Sequence, residues 1–152
     1  MITIDSLIPQ DCIVLDKAFS SKSELLEYMV NLLVKAGVTS QGPELFKGIQ
    51  AREKLGSTGL GLGCAVPHAH LQSLSQTYLS VCRLSKPLDF GAPDGEGASL
   101  VFLMAGPSGN PGLHLKLLSK LARFLHDGPF RENLLAAPDS VTFRNFLLER
   151  ES

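Results

Sequence analysis

Between Arg52 and His70 the chain reads REKLGSTGLGLGCAVPHAH, with four glycines in eight positions (Gly56, Gly59, Gly61 and Gly63) and then a proline–histidine pair. Glycine at this density lets a backbone take positive φ and approach a ligand closely. Successive backbone N–H groups in such a loop make an anion-binding nest. The rest of the chain is therefore expected to serve as a frame that holds this loop and the histidine it delivers.

On either side of the loop, apolar spacing alternates between strand and helix. Cys12 to Leu15 reads as a first strand. Ser20 to Ser23 supply a cap for a helix from Lys22 to Ala36, where Leu25, Met29, Leu32 and Leu33 share a face and Gly37 is the stop. Pro43 opens a second helix with Leu45, Phe46, Ile49 and Leu55 on its apolar side, and Arg52 in its last turns. After the loop, Cys64 to Val66 reads as a short strand that ends at Pro67-His68, and Gln76 to Leu84 as another. Residues 86–98 read as loop, and Ser99 to Ala105 as a buried strand. Asn110 and Pro111 are placed to start a helix over Leu113 to His126, and two shorter helices follow at 129–136 and 139–149. Strands alternating with helices predict an α/β fold.

The totals exclude several classes. A chain of 152 residues is expected to form a single domain, residues 1–152, with a core of its own. The net charge of −1, with Lys and Arg scattered, leaves no basic stripe for nucleic acid. Cys12, Cys64 and Cys82 are odd in number and in no metal-like spacing, which predicts free thiols in a reducing compartment. The opening MITIDSLIPQ has an acid and no lysine or arginine, so it does not read as a signal peptide. The apolar run from Leu100 to Ala105 is far too short to span a bilayer. The expected location is the cytoplasm.

Within this frame a few side chains bear chemistry. A lone histidine at a strand end is by default a polar turn residue, but His68 follows the φ-restricting Pro67 and the glycine loop, with Arg52 upstream. A neutral imidazole has one free lone pair, able to attack a phosphoryl group and carry it as phosphohistidine. His114 stands at the start of the 113–126 helix, on the stripe of Leu117, Leu118, Leu121 and Leu125. It reads either as a core histidine or as a neutral donor to a phosphoryl oxygen at a helix N-terminus. Arg52 reads as a solvated helix-end cation or as a bidentate phosphate clamp. Ser57 and Thr58, ordinary turn residues, offer hydroxyl donors to an anion, and Gly59 a backbone N–H. The glycines fit neither a Walker A loop, since no Gly-Lys-Ser/Thr follows, nor a dinucleotide fingerprint. Cys64, His68 and His70 are a weak zinc alternative with no fourth ligand in evidence.

Taken together, REKLGSTGLGLGCAVPHAH, LDFGAPDG at 88–95 and HLKLLSKLARFLHDGPFRENLLAA at 114–137 resemble three blocks, in the right order, of the enzyme IIA domains of the bacterial phosphoenolpyruvate-dependent phosphotransferase system, fructose/mannitol/nitrogen-regulatory type. The resemblance covers about residues 4–148. It implies a small mixed β-sheet flanked by helices. It implies His68 as phosphoryl acceptor, His114 as second active-site histidine and Arg52 as the phosphate-contacting arginine, with no metal and no cofactor. The donor it implies is the phosphocarrier protein HPr or a paralogue, and the onward partner an enzyme IIB domain or a regulated protein. The absence of a fused IIB or IIC segment looks most like the nitrogen-regulatory, PtsN-like branch. Two positions depart from the family pattern: Leu62 stands where a polar residue such as Asn or Glu is usual, and His70 where Lys or Arg is usual. Leu60 and Leu62 are expected to form part of an apolar docking rim.

Overall fold

The computed structural model describes residues 2–151, and its first two α-helices lie between residues 22 and 55. Helix α1 (Lys22–Lys35) starts where the Ser21 hydroxyl accepts the Glu24 N–H. It ends where Gly37, at φ 79°, lets the Val38 N–H reach back to Leu33 O. Its buried side is Leu25, Leu26, Met29, Val30 and Leu33. Helix α2 (Gly42–Leu55) has proline in its first turn and buries Leu45 and Ile49. A single turn of 3₁₀ helix, Asp5–Leu7, precedes both.

The strands are β1 (Ile13–Lys17), β2 (Gly59–Gly61), β3 (Cys64–Ala65), β4 (His68–Leu71), β5 (Tyr78–Leu88) and β6 (Ala98–Pro107). They form one mixed sheet in the order β1-β5-β6-β3-β2, with β4 also paired to β6. Strands β1 and β5 run parallel, β5 and β6 antiparallel, β3 and β4 both parallel to β6, and β2 antiparallel to β3. Three helices follow: α3 (Pro111–Leu125), α4 (Gly128–Ala136) and α5 (Ser140–Glu151). Alternation along the strands sends Ser80 to the α1 side, where its hydroxyl donates to Met29 O, and Phe102 to the α5 side, against Phe143. The sheet is thus covered on both faces, and Leu100 to Ala105 of β6 is almost wholly buried.

The α/β class and the mixed sheet flanked by helices match the expectation, and the glycine stretch differs from it. It is a hairpin: Gly61 pairs with Cys64, and Leu62 and Gly63 turn the chain at φ 59° and 76°. Two positive φ values in a two-residue loop are the hallmark of a type I′ turn. The strand expected to end at Pro67 continues as β4. A proline is tolerated on an edge strand where its missing N–H faces away from the partner, and the Pro67 carbonyl still accepts the Met104 N–H at 2.9 Å. Strand β5 runs four residues past its expected end, to Leu88, and β1 runs to Lys17 through a bulge at Asp16.

That bulge serves a buried arginine. Arg83, 6% exposed, holds Asp16 with Nε and Nη2 while its Nη1 donates to the carbonyls of Leu134, Leu135 and Ala137. One guanidinium therefore satisfies the C-terminal carbonyls of α4 and ties them to the edge of the sheet.

Leu62 is a β-turn residue with a side chain poorly suited to positive φ. A non-glycine residue in the left-handed region is strained by roughly 1 kcal/mol, and asparagine much less so. Leu62 is 39% exposed, so only part of its apolar surface is buried to offset that gain. Leu62→Asn is expected to raise the urea midpoint by the equivalent of about 1 kcal/mol. An unchanged or lowered midpoint would show that the leucine side chain contributes more than the turn costs.

Candidate functional site

The site is set by which residues lie opposite one another across the sheet. His68 and His70, two apart on β4, point to the same face. His68 pairs with Met104 and His70 with Gly106, and one residue before the start of β5 the same register places Thr77 opposite Gly106. Gly106 has no side chain, and the space is taken by a ring from above. A Cβ there would lie 2.6 Å from His114 Nδ1 and 3.1 Å from Thr77 Oγ1. His114 reaches this point from the first turn of α3, which Asn110 caps by accepting the Leu113 N–H at 3.3 Å. It is 3% exposed, with its ring centroid 4.1 Å from that of His70 and 5.4 Å from that of His68. The structure thus brings His68 and His114 together as the sequence led one to expect, and adds His70 to them.

Arg52 arrives from the other face. Gly48 lets α2 lie close on β4, since a Cβ on it would meet the Ala69 Cβ at 3.3 Å. One helical turn later Arg52 stands beside His68, and Gly48, Arg52, Leu55, His68 and His70 line an open cleft of about 390 Å³. The Arg52 Nη1 donates to Gly56 O at 2.9 Å, closing the end of α2. Among the described residues no carboxylate pairs with this guanidinium. The Leu55 side chain next to it is 85% exposed.

Ser57, Thr58 and Gly59 make their hydrogen bonds inside the loop. The Ser57 hydroxyl donates to Phe90 O and accepts the Gly59 N–H at 2.9 Å. The Thr58 hydroxyl donates to Glu53, which also receives the Thr58 N–H at 3.3 Å and the Lys22 ammonium at 2.6 Å. Asp94 accepts the Leu62 N–H at 2.9 Å. The open nest of N–H groups expected of this stretch is instead a hairpin whose donors at 58, 59 and 62 are engaged. Glu53 was not singled out in the sequence, although it is the acid that organises the loop. Its only signal was a carboxylate in a helix's last turn, where cations are favoured, beside a glycine-rich loop. The candidate zinc set is not assembled either. Cys64 lies four extended residues, about 13 Å, before His68, and burial raises its thiol to about 11.

Electrostatics favour the neutral forms of His114 and His68. Burial pushes the His114 pKa down to about 4, with His70 and His68 adding to the effect. Burial also lowers that of His68, opposed by its hydrogen bond to the Val66 carbonyl and assisted by Arg52. At His68 the ring Nδ1 lies 2.8 Å from Val66 O. A carbonyl only accepts, so Nδ1 carries the proton and Nε2 keeps its lone pair. The result is a nucleophilic nitrogen beside an unpaired guanidinium and a buried neutral imidazole.

Comparison with known proteins bears on what such a site is for. The family model described as "Phosphoenolpyruvate-dependent sugar phosphotransferase system, EIIA 2" matches residues 6–150. The chain is 33% identical over 149 residues to a nitrogen regulatory protein of Pseudomonas aeruginosa, covering 98% of this chain and 97% of that one. It is 35% identical over 146 residues to a multiphosphoryl transfer protein of Escherichia coli O157:H7, of whose length it spans 17%. Among solved structures, the nitrogen regulatory protein IIA-Ntr of Neisseria meningitidis superposes with a TM-score of 0.89 at 37% identity, covering 95% of this chain and 98% of that one. The Escherichia coli enzyme IIA for mannitol, determined in complex with phosphorylated enzyme IIB, gives 0.79 at 25% identity, covering 95% and 100%.

The depressed His114 pKa makes stability depend on pH. The unfolded chain takes up a proton at this histidine near pH 6.5 and the folded chain only near 4. Stability is therefore full above pH 6.5 and falls as the pH drops from there towards 4, by roughly 3 kcal/mol for this group. Urea midpoints measured from pH 7.5 to 4.5 are expected to fall steeply for the wild type and less steeply for His114→Gln. Parallel curves would mean that His114 is not the buried neutral group.

Proposed function

Because the chain belongs to the phosphoenolpyruvate-dependent sugar phosphotransferase system EIIA 2 family, we propose that it is a phosphoryl carrier in the cytoplasm that accepts its phosphoryl group on His68 Nε2 from an HPr-type protein. The observation that supports this most is the His68 Nδ1–Val66 O hydrogen bond, which aligns the ring and leaves Nε2 as the free nucleophile.

In this reading the Nε2 lone pair attacks the phosphorus of the donor's phosphohistidine in line. The new N–P bond forms as the donor's N–P bond breaks, and the donor nitrogen leaves with the electron pair. Transfer of this kind asks little covalent chemistry of the protein beyond positioning and charge stabilisation. Arg52 supplies the charge, with guanidinium N–H groups beyond the one spent on Gly56 O. His114 supplies a neutral N–H. Ser57, Thr58 and Gly59 act on the phosphoryl group through the shape of the loop, held by Phe90 and Glu53. No metal and no cofactor takes part. The exposed Leu55 lines the cleft beside Arg52 and suits docking of a protein donor, whereas Leu60, expected on a docking rim, packs partly against the core.

For the onward step the nitrogen-regulatory branch is the better-supported reading. Nitrogen regulatory proteins from Pseudomonas and Neisseria match over nearly their full length at 33% and 37% identity, against 25% for the mannitol enzyme IIA matched over its whole length. Phosphorylation of His68 then switches affinity for a regulated partner. The second reading, transfer to an enzyme IIB domain and so to a sugar, draws on the mannitol enzyme IIA solved with phosphorylated enzyme IIB.

Incubation with phosphoenolpyruvate, enzyme I and HPr, read by intact mass, is expected to add one acid-labile phosphoryl group to the wild type and none to His68→Ala. Arg52→Ala is expected to be phosphorylated about 10²-fold more slowly, the usual cost of removing one charge-stabilising donor. Phosphorylation of His68→Ala at the wild-type rate would place the acceptor elsewhere.

A further inference from the structure

Three buried side-chain atoms among the described residues have no hydrogen-bond partner: Thr77 Oγ1, His114 Nδ1 and His114 Nε2. They are not scattered. Thr77 Oγ1 and His114 Nδ1 face one point beside Gly106, the place where a Cβ would sit 3.1 Å from the first and 2.6 Å from the second. Thr77 is 2% exposed and His114 3%. A buried hydroxyl without a partner costs about 1–3 kcal/mol, and natural interiors rarely leave one so. Two such groups lie near one point, beside a glycine that gives them room.

We infer that Thr77 is the positioning residue of the second histidine: its hydroxyl donates to His114 Nδ1, directly or through one bridging water, and so places the imidazole proton on Nε2. The chemistry fixes the direction of the bond. A neutral imidazole has one N–H and one lone pair. Nδ1 is turned toward Gly106, so the nitrogen left to meet a phosphoryl oxygen is Nε2. That nitrogen must carry the hydrogen, since an oxyanion only accepts. Nδ1 is then the acceptor and needs a donor, and a threonine hydroxyl is one. With the opposite tautomer, a lone pair would face the anion.

The sheet carries this arrangement without a loop. Continuing the β5–β6 register puts Thr77 beside Gly106, and β4 puts His70 on its other side, so the three positions form one cross-strand row beneath the His114 ring. The His70 ring lies 4.1 Å from that of His114 and supports it from the exposed side. Thr77 touches no reacting atom; it acts through His114. The inference rests on the phosphocarrier reading for its purpose, though not for its test.

The test uses the full chain and two readouts. The ¹⁵N shifts of the His114 ring report its tautomer without any phosphoryl transfer. The wild type and Thr77→Ser are expected to show a protonated Nε2 and an unprotonated Nδ1. Thr77→Val, which keeps the shape and loses the hydroxyl, is expected to show a mixture or the reverse. Phosphorylation of His68 by phosphoramidate, a small donor that needs no docking surface, is expected to slow about tenfold in Thr77→Val and less than twofold in Thr77→Ser. If Thr77→Val keeps both the wild-type tautomer and rate, or if Thr77→Ser loses as much as Thr77→Val, the assignment is overturned. If the wild type takes no phosphoryl group from phosphoramidate or from HPr, the carrier reading fails, while the ring shifts still decide the role of Thr77.

Discussion

Residues 64–71 run beside β6 in one unbroken register, pairing Cys64 with Leu100 at one end and Leu71 with Pro107 at the other. Everything at the site depends on that alignment. Because side chains alternate, a slip of one residue would turn His68 and His70 away from α3 and bring Ala69 to face His114. The Leu62–Gly63 turn sets where the strand begins, and the bond from Met104 N–H to Pro67 O keeps it on β6 past the proline. The glycine-rich hairpin is thus a register device as well as a wall of the site.

A second dependence is electrostatic. The site gathers three histidines and an arginine, which would repel one another if all were charged. Burial removes the conflict by keeping His114, and to a lesser degree His68, neutral. One cation, Arg52, remains without a carboxylate partner among the described residues. A cleft with an uncompensated guanidinium suits an anion that comes and goes, because no acid must be displaced to admit it. The acids nearby, Glu53 and Asp94, are spent on the backbone and side chains of the hairpin. Far from the cleft, Arg83 does for the scaffold what these acids do for the loop. It gathers the last carbonyls of α4 against the sheet, a structural use of a buried charge with its partners supplied.

Much of this was legible from the chain alone. The helices were readable because their signals are local: Ser21 as cap, Gly37 as stop, Pro43 and Pro111 in first turns, leucines at helical spacing. His68, His114 and Arg52 stood out through residue type and context. Other features were not legible. Strand β4 was hidden by Pro67, since a proline reads as a stop unless its edge position is known. The loop appeared to be an open nest because glycine content shows that N–H groups are free to turn, not what they turn toward. Thr77 and Glu53 carried no local mark, being one threonine and one glutamate among several.

What the sequence determined by itself is the helices and the longer strands, their order and the chemistry on offer, because capping, periodicity and side-chain type act within a few residues. What only the tertiary structure decided is which of those groups meet. His114 is 46 residues from His68 and Thr77 is 37 from His114 by their numbers, and nothing local relates them. They are neighbours because Gly106 leaves a gap in a cross-strand row and α3 lays one ring into it. That is a fact of register and packing, and these are settled only when distant strands pair.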